Sequence, residues 1–318
     1  MAVVSRVLGR RARRLRPAHA ARGVRAAVAD DAVRARAVSL PVRASRLRET
    51  CTLACAVALD EIIRREGAGS VAAFIAEPVV GATLGVVPAT PGYFQRIREI
   101  CDRYGVLFIA DEVMTGFGRT GRRWGLDHWG VIPDLIVCAK GISGGYAPLG
   151  AVLAKPEFVG EVRSRSGSFV IGHTSSGNPM SCAAGAAVLR YIIDNGLIEN
   201  AATVGQYFKE RLRDLAQRHE MIGDVRGLGL LLGIELVRDR VRKEPFPPAW
   251  RVSTRVGNAT LARGLVSYPG AGTADGVAGD HLLYAPPLIV TRDQVDEIVR
   301  ILDTSLTAVA ADLTAVQA

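Results

Sequence analysis

The chain has 318 residues, 49% of them hydrophobic, so it can bury a sizeable core and could hold two domains. Its net charge of +9 is unevenly distributed: residues 1–48 carry 13 arginines and two acids, a net +11, which leaves −2 for residues 49–318. This distribution removes the main support for a nucleic-acid partner. No apolar run is long enough to span a bilayer, so no membrane partner is expected either.

The first 48 residues form a head that is rich in arginine and alanine and lacks aromatic residues. Three interpretations are open: an amphipathic transit peptide, a basic arm for an anionic partner, or sequence that is not native to the protein, such as a shifted reading frame. Serine is sparse, which weakens the first interpretation. We expect this head to be disordered or non-native.

The five cysteines do not form a metal-binding pattern. Cys51 and Cys55 are four residues apart on a predicted helix, but no second pair completes a zinc set, so no metal site is predicted. Because their number is odd and no signal peptide is recognised, we expect reduced, buried thiols in a cytoplasmic protein. The remaining cysteines are Cys101, Cys138 and Cys182.

Hydrophobic periodicity predicts alternating helices and strands, which indicates an α/β fold followed by a smaller α+β domain. The predicted boundary lies near residue 196, where the pattern soon changes to an apolar run punctuated by glycine. Helices are predicted over 50–65, 92–104, 177–193, 197–218, 252–263 and 292–308, and strands over 71–76, 106–110, 135–139 and near 282–284.

Two short apolar runs, Val106–Ala110 and Leu135–Ala139, end in charged residues, Asp111 and Lys140. Such runs suit buried parallel strands, whose carboxyl ends form the ligand-binding edge of an open sheet. A lysine can form a Schiff base with pyridoxal phosphate (PLP), while a carboxylate keeps the pyridine nitrogen protonated. Taken alone, each residue also fits an ordinary loop-capping Asp or a solvated Lys.

A glycine-rich segment, Gly116–Gly121, fits the G-x-G-x-x-G pattern of dinucleotide-binding sites. That pattern requires a helix to begin inside the glycines, with its N-terminus facing the pyrophosphate. The sequence that follows has no helical period, and the preceding strand ends in two acids that would repel phosphate. We therefore favour a glycine-rich active-site loop.

Four motifs together resemble the class III aminotransferases, which are fold-type I PLP enzymes related to ω-amine:pyruvate, ornithine and 4-aminobutyrate transaminases. The resemblance runs from about Arg48 to the C-terminus. It implies a partial PLP-binding large domain with a mostly parallel sheet over 49–195 and a C-terminal small domain over 196–318. The motifs are IAEPVVG (75–81), IADEVMTGFGRTG (109–121), PDLIVCAKGISGGYAPLGA (133–151) and GHTSSGNPMSCAA (172–184).

The resemblance also assigns expected roles to individual residues. Lys140 would be the Schiff-base lysine and Asp111 the partner of the pyridinium nitrogen. Val113 would pack against the cofactor ring, although an ordinary core valine is an equal alternative, and Glu77 matches a family residue near the site. Thr174 would reach the cofactor phosphate of the partner subunit, unless it is a plain helix-entry threonine. This last role implies a homodimer with active sites at the interface.

The implied function is transamination from an amine or ω-amino acid to a keto acid such as pyruvate. The ornithine-type branch has an arginine where this chain has Leu283, and a second acid where it has Ala82. Both departures favour the ω-amine:pyruvate type. The stretch 268–281 resembles a substrate-facing loop of that type.

Family members also carry, upstream of these motifs, a loop that binds the cofactor phosphate and an aromatic residue that stacks on the ring. Neither is found in residues 1–50. We therefore expect weak cofactor retention in this 318-residue form, and a catalytically inactive fragment or pseudo-enzyme is the alternative hypothesis. The same observation favours a non-native origin for the head.

Overall fold

The computed structural model describes residues 5–7, 52–168 and 172–317, with the backbone alone for residues 5–7 and no side chains beyond residue 314. The predicted head lies outside this part of the chain except for residues 5–7. The helices are α1 (Ala54–Glu66), α2 (Tyr93–Tyr104), α3 (Pro156–Arg165), α4 (Pro179–Asp194), α5 (Leu197–Arg218), α6 (Val252–Leu261) and α7 (Arg292–Gln317).

Eleven strands are found in the described ranges, and they form two larger sheets and a short two-stranded ladder. They are β1 (Ser5–Val7), β2 (Ala73–Ala76), β3 (Val79–Val80), β4 (Val87–Pro88), β5 (Leu107–Asp111), β6 (Leu135–Cys138), β7 (Ala151–Ala154), β8 (Ile222–Leu228), β9 (Leu231–Leu236), β10 (Tyr268–Ala271) and β11 (Asp280–Tyr284).

The first sheet has the order β1-β2-β5-β6-β7. Its three central strands β2, β5 and β6 are parallel, and the outer strands β1 and β7 pair antiparallel. Ala76 lies opposite Ala110, and Asp111 lies opposite Val137. This register brings the carboxyl ends of the three central strands to one edge. The predicted α/β fold with a partial sheet is confirmed.

Helix α2 shows why the first core forms. Its apolar residues recur at three- and four-residue intervals, and Phe94, Ile97 and Ile100 are fully buried. The ring of Phe94 stacks on Phe108 of β5, with ring centroids 5.8 Å apart. Burying each such side chain stabilises the fold by roughly 1.5–3 kcal/mol, so α2 is fixed firmly against the sheet.

The second sheet has the order β10-β11-β9-β8 and is antiparallel throughout. All six residues of β9 are buried. Its core includes Phe208 and Leu212 of α5 and Leu302 of α7, so these helices cover the sheet. This arrangement confirms the predicted α+β architecture of the C-terminal part, while the boundary at residue 196 stays a prediction.

A buried arginine joins the two parts of the chain. Arg226 of β8 donates from Nε to the Gly85 carbonyl (2.8 Å) and from Nη2 to the Leu84 carbonyl (2.9 Å), both in the turn between β3 and β4. It also pairs with Glu235 of β9, which accepts from Thr273 Oγ1 (3.0 Å). A buried ion pair is tolerated when its remaining donors and acceptors are satisfied in this way.

His281 of β11 occupies the same joint and is fully buried. Its ring lies against Gly85 and Gly270, so that an added Cβ on Gly85 would come within 2.5 Å of the ring. Among the described residues, neither ring nitrogen has a hydrogen-bond partner of ordinary geometry. Burial and the charge of Arg226 lower the pKa of His281 to about 4, against a smaller raising effect of the Ala82 backbone.

Two expectations need correction, and one helix was missed. The closing helix does not end at residue 308 but runs to Gln317, because its apolar positions continue to pack on the second core as far as Leu313. The expectation of buried thiols is wrong for Cys55 and Cys182, which are exposed, whereas Cys101 and Cys138 are buried. Helix α3 was not predicted at all.

Within the ranges described, no helix is long and apolar enough to cross a membrane.

We predict that His281 makes stability depend on pH. Its folded pKa of about 4 lies below the ordinary value of 6.5, so the unfolded chain binds the proton more readily between these values. The stabilisation that comes from keeping His281 neutral is complete above pH 6.5. As the pH falls to 4, the free energy of unfolding decreases by up to about 3 kcal/mol. Urea unfolding across this window should show a shallower decline in His281→Asn than in the wild type.

The same substitution at the exposed His173 is the control and should leave the wild-type slope unchanged. If His281→Asn declines as steeply as the wild type, another group causes the acid sensitivity.

Candidate active site

Three charged side chains meet at the carboxyl edge of the parallel strands. Glu77 follows β2 directly, Asp111 is the last residue of β5, and Lys140 stands two residues beyond β6. The register across the three strands places these ends side by side. The edge where the sequence predicted a ligand site is therefore the edge where the charges assemble.

The electrostatics of Glu77 show that the three groups influence one another. Burial raises the pKa of the Glu77 carboxyl, and the charge of Asp111 raises it further. The hydrogen bond from the Gly81 N–H (3.0 Å) and the charge of Lys140 lower it. Glu77 is thus a partly desolvated carboxylate within the electrostatic influence of a second carboxylate and an amine, which is a usual arrangement for acid–base chemistry.

Asp111 and Lys140 are held by their local backbone. One carboxylate oxygen of Asp111 accepts from the Val113 N–H (3.2 Å), and Val113 itself is half-buried. Lys140 begins a single 3₁₀ turn, has an exposed side chain, and has a left-handed φ of 46°. That conformation costs a non-glycine residue on the order of 1–2 kcal/mol and is enriched at functional sites.

Glu112, which sequence reasoning passed over, organises the loop that follows Asp111. It is fully buried, and its carboxylate accepts from Thr115 Oγ1, from the Gly125 N–H (2.8 Å) and from the Leu126 N–H (2.9 Å). Burial raises the pKa of this carboxyl, and the three donors oppose the rise. The loop 113–126 therefore wraps around one carboxylate.

The glycine-rich segment Gly116–Gly121 packs against α5, not against a space for a dinucleotide. A Cβ on Gly118 would lie 2.9 Å from Ile198, and one on Gly121 would lie 2.8 Å from Ala202. The segment forms turns, and the next helical element is the short 3₁₀ stretch Gly125–Trp129. Close approach of the backbone to a helix explains these two glycines. The active-site-loop interpretation stays a prediction.

Arg119 ties this segment to the C-terminal part of the chain. Its Nη1 donates to the Pro286 carbonyl (2.5 Å) and the Leu230 carbonyl (3.2 Å), and the Leu230 N–H donates back to the Arg119 carbonyl (3.0 Å). Burial lowers the pKa of Arg119 to about 10, so it stays charged at neutral pH. The glycine-rich segment is thereby connected directly to the loops that border the second sheet.

Thr174 lies in the turn that precedes α4, and its side chain is exposed. Asn178, not Thr174, caps the helix by accepting from the Ser181 N–H (3.1 Å). The helix-entry alternative for Thr174 is therefore not what the structure shows. Its expected role toward a partner subunit's cofactor stays a prediction, as do the individual roles of Glu77, Asp111, Val113 and Lys140.

Comparison with known proteins defines the family. A family model described as Aminotransferase class-III matches residues 15–306. Because this is well over half of the chain, the protein belongs to the class-III aminotransferase family, and the resemblance carried by the four motifs is confirmed. The match begins at residue 15, within the segment that the motifs alone leave outside the resemblance.

Individual relatives agree with this assignment. The uncharacterized aminotransferase YodT of Bacillus subtilis is 39% identical over 255 residues, covering 80% of this chain and 57% of that protein. An (S)-enantioselective omega-transaminase structure from Thermomicrobium roseum is 38% identical with a TM-score of 0.75, covering 82% of this chain and 56% of the other. A PMP-bound aminotransferase structure from Vibrio fluvialis is 36% identical with a TM-score of 0.76, with 83% and 57% covered. The chain thus spans little more than half the length of these relatives.

The cofactor of this family is pyridoxal phosphate, and the residues present here fit it. The site offers a primary amine on Lys140 to hold an aldehyde and a carboxylate on Asp111 to face a protonated ring nitrogen. An amine and a carboxylate are the groups that an organic cofactor with an aldehyde and a ring nitrogen requires. Separately, no group of histidine, cysteine and acidic side chains that could hold a metal ion is found among the described residues.

We predict that Glu112→Ala lowers the free energy of unfolding by about 2–4 kcal/mol. The substitution leaves the buried N–H groups of Gly125 and Leu126 unpaired. Urea denaturation measures the difference. Asp127→Ala is the matched control, since Asp127 caps the same loop by accepting from the Trp124 N–H but is exposed. Its cost should be about 1 kcal/mol, and equal costs for the two variants would contradict the role assigned to Glu112.

Proposed function

We propose that the protein is a PLP-dependent transaminase that moves an amino group from an amine or ω-amino acid to a keto acid such as pyruvate. The observation that carries this proposal is the arrangement of Lys140 and Asp111 at the ends of adjacent parallel strands, with Glu77 beside them. Membership of the class-III aminotransferase family supports the reaction type.

The chemistry is divided between cofactor and protein. Bound pyridoxal phosphate supplies an electron sink next to the substrate amine. The Lys140 amine, exposed at the end of β6, acts as the base that takes a proton from the substrate carbon and returns it. The Asp111 carboxylate holds a proton on the ring nitrogen, because an opposite charge at hydrogen-bond distance favours the protonated form.

Two positions, Leu283 of β11 and Ala82, support the proposed preference for an ω-amine donor. Leu283 of β11 is buried in a small apolar cluster with Val79 and Val86, so that position offers no cation for a second substrate carboxylate. Ala82 stands where the ornithine-type branch has an acid. Both features support an ω-amine:pyruvate-like substrate range, as does the similarity to an omega-transaminase structure.

A homodimer is part of the proposal. Helix α4 and the loop before β7 expose large apolar side chains, including Tyr146 (84% exposed), Met180 (80%) and Ile193 (71%). Exposed apolar surface of this kind is typical of subunit interfaces. It also accounts for the exposed thiol of Cys182 on α4. The cytoplasmic location stays a prediction.

An inactive fragment or pseudo-enzyme is the second candidate. It is the alternative left open by residues 1–50, in which no phosphate-binding loop is recognised.

Labelling decides between the two candidates, because the chain has only four lysines: Lys140, Lys155, Lys209 and Lys243. The protein is incubated with pyridoxal phosphate, reduced with borohydride and mapped by peptide mass spectrometry. We predict a pyridoxyl group on Lys140 that is absent from Lys140→Ala and strongly reduced in Asp111→Asn. Equal labelling of the other three lysines, or none, would favour the inactive fragment.

A further inference from the structure

The carboxyl group of Glu77 is bound by the backbone of Gly81. Its Oε2 accepts from the Gly81 N–H, at a distance of 3.0 Å. Burial raises the pKa of Glu77, and this hydrogen bond opposes the rise. Because Pro78 follows Glu77 and restricts its backbone, the position of Gly81 determines where the carboxyl group points.

Gly81 begins a closed turn, residues 81–86, which joins β3 to β4. The two ends of the turn are linked, because the Val86 N–H donates to the Gly81 carbonyl (3.0 Å). Val86 has a left-handed φ of 63°, and Gly85 before it has a φ of 66°. A β-branched residue rarely adopts this conformation, so the surroundings must hold the turn in place.

Arg226 of β8 holds the turn from the C-terminal part of the chain. It is 1% exposed and donates from Nε to the Gly85 carbonyl (2.8 Å) and from Nη2 to the Leu84 carbonyl (2.9 Å). Its Nη1 pairs with Glu235 and lies 3.3 Å from the carboxylate of Asp224. One planar guanidinium thus fixes two successive carbonyls of the turn.

We propose that Arg226 is a positioning residue for Glu77: its guanidinium fixes the turn 81–86, and the turn keeps the Gly81 N–H against the Glu77 carboxyl. Each step of this path is a hydrogen bond or lies within the short turn itself. The inference deepens the proposed function and rests on Glu77 belonging to the active site beside Asp111 and Lys140.

Arg226→Lys in the full chain is the first test variant. Lysine keeps a positive charge beside Glu235, but one ammonium cannot reproduce the two directed donations to Leu84 and Gly85. Glu235→Gln is the matched control. It disturbs the same buried ion pair and leaves the guanidinium groups that bind the turn.

Gly233→Ala is the second test variant, and it disturbs the turn from β9 without changing Arg226. An added Cβ on Gly233 would lie 2.4 Å from the Gly85 carbonyl oxygen, which is too close, so that carbonyl must move. This variant carries the comparison if Arg226→Lys does not fold. Urea unfolding identifies the variants that are folded.

The main readout is a carbon-13 NMR titration of the Glu77 carboxyl in protein without added cofactor, assigned with Glu77→Gln. Loss of the Gly81 hydrogen bond disfavours the charged carboxylate. We therefore expect the titration midpoint of Glu77 to move to higher pH in Arg226→Lys and in Gly233→Ala. Glu235→Gln should titrate like the wild type, although it unfolds more readily. A merely structural role of Arg226 would change stability without this pattern.

Amide hydrogen exchange of the wild type is a second measurement that needs no variant. After correction for intrinsic rates, the N–H groups of Gly81 and Val86 should be protected to a similar degree, because the turn then opens as one unit. Protection at Gly81 at least tenfold weaker than at Val86 would overturn the proposal. A wild-type titration of Glu77 in the folded test variants would overturn it as well.

Neither measurement requires bound pyridoxal phosphate. A protein that shows the expected titration shift but is never labelled on Lys140 by pyridoxal phosphate would contradict the proposed function and leave the role of Arg226 intact. The opposite result, labelling of Lys140 without the shift, would overturn the role of Arg226 alone.

Discussion

The buried carboxylate of Glu112 is the interaction on which the candidate site depends. It follows Asp111 directly and accepts three hydrogen bonds from the loop 113–126. Its own N–H donates to the Val137 carbonyl of β6 (2.8 Å), so the same residue also fastens β5 to the strand that leads to Lys140. Because Asp111 and Glu112 are adjacent, fixing one of them fixes the direction of the other. The sheet determines where the charges lie, and Glu112 fixes the backbone that carries Asp111.

The second constraint is the set of contacts between the C-terminal part of the chain and the segments that follow Glu77 and Asp111. Arg226 and His281 hold the turn between β3 and β4, which follows Glu77, while Arg119 holds the glycine-rich segment, which follows Asp111. Two of the three strand ends that form the site are thus continued by segments bound to the C-terminal part. A change in the packing of the second sheet would therefore alter the segments that follow Glu77 and Asp111.

Periodicity and resemblance predicted much of this. The apolar runs before Asp111 and Lys140 are parallel strands, and α5 has the predicted limits, because these elements are defined by local patterns. Glu112 was missed since its partners lie 3 to 14 residues away in an irregular loop. Arg226, Arg119 and His281 were missed because their contacts join residues far apart in sequence. Cys182 was misjudged because a small-residue helix looks buried, although α4 exposes most of its surface in the single chain.

The central claim is that the end of β5 presents Asp111 to a protonated ring nitrogen. The most direct measurement is the nitrogen-15 NMR shift of ring-labelled pyridoxal phosphate bound to the protein at neutral pH. We predict the shift of a protonated nitrogen in the wild type and of an unprotonated one in Asp111→Asn. An unprotonated nitrogen in the wild type, or the same shift in both proteins, would contradict it.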